Sequence, residues 1–149
     1  MSNSRGSADG AFILTPQDAK RLRQACPDLH EWPESWQVEL ADIAIGQQIV
    51  QLLTPFLLNL LDQGLAKTTV RRHRDNMWSL GAEVIRRRYD DDDELARRDV
   101  PAAVQELISD DGGPLIWPRM TEAEQDSLDA SCRKLHRFMQ ELKAAPKAG

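Results

Sequence analysis

Two Cys-x-x-x-His pairs, Cys26–His30 and Cys132–His136, come nearest to metal chemistry in this chain. Two thiolates and two imidazoles make a tetrahedral zinc set if the chain ends meet. Cys132, however, falls on an apolar helical seam, where a free cysteine behaves as a small hydrophobe. Pro27 makes the first pair irregular at a helix end. The pattern therefore predicts no zinc and no other cofactor. His73 lies on the apolar side of a helical pattern with nothing beside it to orient the ring, so it reads as a packed residue rather than a base. Tyr89, the only tyrosine, follows Arg86-Arg87-Arg88 without an activating base and reads as a boundary aromatic. Phosphate-binding glycine loops and a Gly-x-Ser-x-Gly elbow are absent from the sequence. The run Asp90 to Glu94 lacks the central glycine and terminal glutamate of a calcium loop and reads as a solvated linker. The expectation is a protein that is not an enzyme.

Positive charge is the more informative chemistry. Between Leu65 and Tyr89 stand Lys67, Arg71, Arg72, Arg74, Arg86, Arg87 and Arg88 against Asp75 and Glu83. Seven minus two is +5, in a chain whose formal charge is −5. Arginine forks suit phosphate oxygens, and one helix face can follow a nucleic-acid backbone. Lys67, Arg71, Arg72, Arg74 and Arg86 are the expected phosphate contacts. Charge alone leaves a second reading level with this one: a solvated face paired with the acidic run.

These residues need a scaffold, and composition predicts a helical one. Ala and Leu number 34 against 18 for Val, Ile and Thr, and no stretch alternates with period two. Thr15-Pro16 opens a helix running to about Ala25. Trp32, Pro33 and Trp36 form a connector. A second pattern from near Ser35 carries Val38, Leu40, Ile43 and Ala44 inward. A third helix spans roughly Gln47 to Leu61, with a kink or a restart on Thr54 expected at Pro55, and Gly64 closes it. Lys67 to Arg88 is the clearest helix: Val70, His73, Met77, Leu80, Gly81 and Val84 share one side, with Arg71, Arg72, Ser79 and Arg86 opposite. Gly81 there predicts a closely approaching neighbour, with Trp78 on its flank. Val100 to Ile108 is a short helix, and Leu115, Ile116 and Trp117 an extended anchor. Thr121 to Glu124 is a capping box. The last helix stacks Leu128, Cys132, Leu135, Met139 and Leu142.

The expected organisation is an all-α bundle of five to seven helices. It forms one domain over 12–143, with flexible tails at 1–11 and 144–149. Two cysteines make no disulfide framework, which points to a reducing compartment. MSNSRGSADG lacks a signal peptide's apolar core, and the apolar run Ile49 to Leu61 is too short for a bilayer. A cytoplasmic protein without membrane contact is expected.

The stretch Gln48 to Arg88 adds a family likeness. Phe56-Leu57-Leu58-Asn59-Leu60-Leu61, then Gly64-Leu65-Ala66-Lys67-Thr68-Thr69-Val70-Arg71-Arg72-His73, then Leu80, resembles the N-terminal, SAM-like core-binding domain of tyrosine recombinases (phage integrases). Gly64, Leu65, Thr68 and Thr69 occupy the matching places. Ala66 departs from the pattern, where serine is common, and weakens the helix cap. The resemblance covers roughly 40 residues (48–88) and implies a SAM-like centre, about 35–89, that clasps one side of duplex DNA. The recombinase catalytic domain has no room in this chain. The segment from Leu115 onward is similar to bacterial proteins carried near mobile elements. The function so implied is non-catalytic DNA binding or recombinase accessory, with duplex DNA and a recombinase or other protein as partners. The alternative is a helical interaction module of the same fold that docks a protein through Trp32/Trp36 or Trp117.

Overall fold

The computed structural model describes residues 14–90, 99–116 and 119–144. Among them are six α-helices and no strand: α1 (Pro16–Ala25), α2 (Trp32–Trp36), α3 (Asp42–Asp62), α4 (Lys67–Arg87), α5 (Val100–Leu107) and α6 (Glu122–Ala144). The expected all-α bundle is what the chain forms. The expected tails lie, Ala144 apart, outside the described residues, as do Asp91 to Glu94 and Trp117.

Caps mark the helix starts. The Thr15 hydroxyl accepts from the Asp18 amide at 3.1 Å, with Pro16 at the first helical position. Asp99 caps α5 through the Ala102 amide at 2.8 Å. Thr121 and Glu124 form the reciprocal capping box at 2.9 and 3.1 Å. Gly64 ends the α3–α4 turn with φ of 70°, a conformation that favours glycine. α4 itself opens without a side-chain cap, because Ala66 offers none.

The α2–α3 connection differs from expectation. No helix carries Val38 and Leu40 inward; they are 69% and 79% exposed. The Asp42 carboxylate explains this. It accepts from the Val38 and Glu39 amides at 2.9 and 3.0 Å, which folds 37–41 into a turn and starts α3 five residues before the expected point. Ile43 is half-buried and Ala44 exposed. α3 also runs unbroken through Pro55, and the Thr54 hydroxyl donates back to the Val50 carbonyl at 2.7 Å rather than capping a restart. At 21 residues and a mean hydropathy of 1.4, α3 is long and apolar enough by length and composition to cross a membrane, unlike the shorter run read from sequence. In the fold it is the central helix, packed by α1, α2, α4 and α5.

Ile49, Leu53, Phe56 and Leu60 on α3 are completely buried with Met77, Leu80 and Ile85 of α4, Val104 of α5, and Leu128, Cys132 and Leu135 of α6. Each large aliphatic or aromatic side chain so buried is worth roughly 1.5–3 kcal/mol. The seam of α6 ends sooner than its spacing predicts, since Leu142 is 57% exposed. Ile116 is anchored as expected, with its amide donating to Gln125, whereas Leu115 faces solvent. Trp32 and Trp36 are buried, their ring centroids 5.7 Å apart. Trp36 lies across Gly81 and donates to the Trp78 carbonyl at 3.1 Å, which is the close approach that the glycine predicts.

Candidate nucleic-acid interface

The five cations expected at phosphates divide into two groups along α4. Lys67, Arg71 and Arg72 are exposed and make no hydrogen bond or ion pair among the described residues. They lie within the first turn and a half of the helix. Arg74 is half-buried, held by Asp75 at 3.1 Å and by the Ala25 carbonyl at 3.4 Å. Arg86 lies 14 residues beyond Arg72, about 21 Å along the axis, and its guanidinium is already engaged.

Glu83 engages it. Its side chain is 1% exposed, on the row that His73, Asn76 and Leu80 define. Arg86 donates to it at 3.1 and 2.7 Å, Arg87 at 2.8 Å, and Arg119, from the segment before α6, at 3.0 Å. Burial alone would raise the Glu83 pKa, but the three guanidinium groups outweigh it and hold it at about 2. Arg86 also faces Asp90 at 3.6 Å, the one residue of the acidic run that is described. Three guanidinium groups share the one Glu83 carboxylate, so the cluster at the end of α4 keeps a net positive charge while the Arg86 and Arg87 donors are engaged inside the fold. A continuous basic face from Arg71 to Arg86 is not what the structure forms.

Other helices add cations at the opposite end. Arg21 of α1 reaches Asp62 at 2.6 Å. Lys134 of α6, which makes no ion pair among the described residues, lies close enough to His73 to disfavour its charged form, as does Arg72. Arg72 and Lys134 therefore act on one imidazole from two helices. Sequence reading missed this pairing across α4 and α6, although the basic stretch Arg133-Lys134-x-x-Arg137 is visible there. It also missed Glu83, whose spacing of three from Leu80 and seven from Asn76 was the available signal.

The residues weighed for chemistry are dispersed. Cys26 caps α1 and Cys132 lies mid-way along α6; both are buried, and burial pushes each thiol up to about 12, far from a reactive thiolate. No group of three His, Cys, Asp or Glu able to hold a metal occurs among the described residues. His73 Nδ1 lies 2.7 Å from Ser131 Oγ, a hydroxyl–imidazole contact. Ser131 is fully buried, however, so no substrate reaches it. Tyr89 donates to Asp42 at 2.5 Å, tying the end of α4 to the start of α3, and that bond raises its pKa further. Comparison with protein-family models, curated proteins and solved structures finds no match to this chain.

Proposed function

We propose that the chain is a non-catalytic DNA-binding protein, a recombinase accessory working in the cytoplasm, that grips the phosphate backbone with the amino-terminal half of α4. Lys67, Arg71 and Arg72 are its primary contacts, with Arg74 at the margin. The observation that supports this reading is the sorting of charge along α4: Arg86 and Arg87 are committed to Glu83, while Lys67, Arg71 and Arg72 have no acidic partner among the described residues. Uncommitted guanidinium groups on a rigid helix suit phosphate oxygens.

The test is fluorescence anisotropy on duplex DNA across a salt series. Binding should weaken steeply as salt rises, because phosphate contacts release counterions at about 0.9 per contact. Replacing Lys67, Arg71 and Arg72 together with alanine should flatten that slope by about 2–3 while helicity stays unchanged. No binding at low salt would reject the DNA reading in favour of a protein-interaction module. One observation favours that alternative: Val38 and Leu40 stand exposed on the turn beside Tyr89, which hydrogen-bonds Glu39 between them at 3.3 Å. Trp32 and Trp36, expected to dock a partner, do not serve it, since they are 2% and 5% exposed.

A further inference from the structure

A groove of about 820 Å³ runs between α1 and the amino-terminal half of α4. Leu61, Leu65 and Val70 floor it, with Pro27 and Ala25 at one side. Arg21 stands on the α1 wall and Lys67, Arg71 and Arg74 on the α4 wall, and among the described residues no carboxylate lines it. A narrower recess continues the aliphatic floor inward to Leu22, Leu57 and Cys26.

We propose that this groove binds an amphiphilic organic anion: a phosphate or carboxylate head on an unbranched aliphatic body. Its volume lies within the range of small-molecule sites, which combine an apolar lining with a few placed polar groups. The lining chemistry selects the occupant. Among the described residues it contains no aromatic ring, so a nucleobase has nothing there to stack on. Gln24 is its one neutral hydrogen-bonding side chain, and Arg74 already takes the Ala25 carbonyl, so a peptide backbone would leave its polar groups unpaired. An alkyl chain asks for neither. Arg21 is paired with Asp18 and Asp62, and Arg74 with Asp75, whereas Lys67 and Arg71 are uncommitted. The anionic head therefore sits at the Lys67–Arg71 end, and the body lies across Leu65 and Val70 toward α1.

Calorimetric titration of the whole chain with butyl, hexyl and octyl phosphate, kept below their micelle thresholds, tests this. The matching carboxylates, inorganic phosphate and 1-octanol complete the set. Each buried methylene should tighten binding about fourfold. Inorganic phosphate and octanol should bind at least about tenfold more weakly than octyl phosphate. Whichever head group binds tighter identifies the ligand's source, phosphate ester or carboxylic acid. Lys67→Ala with Arg71→Ala should weaken every chain length by about tenfold and keep the chain-length slope. Leu65→Gln, or Val70→Thr if the first misfolds, should flatten the slope and leave duplex DNA binding as it was. An affinity independent of chain length, or octanol binding as tightly as octyl phosphate, would overturn the proposal. A flat series with duplex binding retained removes the groove site alone; a rising series without duplex binding removes the DNA reading alone.

Discussion

The Ser131 hydroxyl of α6 hydrogen-bonds His73 Nδ1 of α4 across 2.7 Å, inside the seam between the two helices. Asn76 donates to the same hydroxyl oxygen at 2.8 Å and to the Ser127 carbonyl at 3.0 Å. The tautomer sets the direction of the His73 contact: with the ring proton on Nε2, Nδ1 accepts from the hydroxyl, and with it on Nδ1 the ring donates to the oxygen's second lone pair. Protonation makes both ring nitrogens donors and places a charge in this buried seam.

A pH dependence follows from this seam. Burial, then Lys134 and Arg72, lower the His73 pKa below its usual 6.5. The unfolded chain therefore takes up the proton first. Stability is complete above about pH 6.5 and falls as pH drops from there to the lowered folded value, by up to about 1.4 kcal/mol per pH unit. Urea unfolding at pH 7.5, 6.5 and 5.5 should show that loss in the natural chain. His73→Asn keeps an acceptor near Nδ1 without titrating, and should show less of it. Equal slopes in the two proteins would mean that the imidazole does not report on the seam.

Glu83 governs the acid limb. Its folded pKa of about 2 lies below the ordinary 4.5, so its contribution is present above pH 4.5 and is lost as pH falls toward 2. Glu83→Gln leaves three guanidinium groups without their shared anion and should cost about 3 kcal/mol at pH 7. The difference between the two proteins should shrink as pH approaches 2, which chemical unfolding at pH 7, 4 and 2.5 measures. A constant difference would assign the cost to packing rather than charge.

Gly81 separates local propensity from packing. In an isolated helix, Gly81→Ala should gain about 1 kcal/mol. In this fold the new methyl group would overlap the Trp36 ring, which is itself fixed by its bond to the Trp78 carbonyl. The substitution should therefore destabilise by about 1–3 kcal/mol, the usual cost of overpacking. A raised melting temperature would show that Trp36 can move aside without loss.

Gly81 also marks how far the sequence could be read. Local rules found it, along with the Thr15 cap, the Thr121–Glu124 box and the inner face of α4, because each depends on neighbours within one or two turns. Val38 and Leu40 were misplaced because the deciding group, the Asp42 carboxylate, competes with the helix for backbone amides. The candidate site divides the same way. Lys67, Arg71 and Arg72 are legible as an exposed basic face. The loss of Arg86 to Glu83 is half-visible at three-residue spacing, but Arg119 arrives from 36 residues away, and no local pattern announces it.

That loss gives the sharpest test of where DNA would lie. Arg86 holds Glu83 at 2.7 Å and faces Asp90 at 3.6 Å. Turning it toward a phosphate would withdraw a donor from a buried carboxylate, a penalty larger than one exposed phosphate contact returns. Arg72 has no such obligation. In salt-dependent anisotropy on duplex DNA, Arg72→Ala should lower the slope by about 0.9, the release expected for one phosphate contact. Arg86→Ala should leave the slope unchanged while lowering the urea midpoint, because its work is done at Glu83. An equal fall in slope for both variants would mean that DNA spans the whole helix and that the Glu83 cluster opens to admit it. A fall for Arg86→Ala alone would move the interface to the distal end and remove Lys67, Arg71 and Arg72 from it.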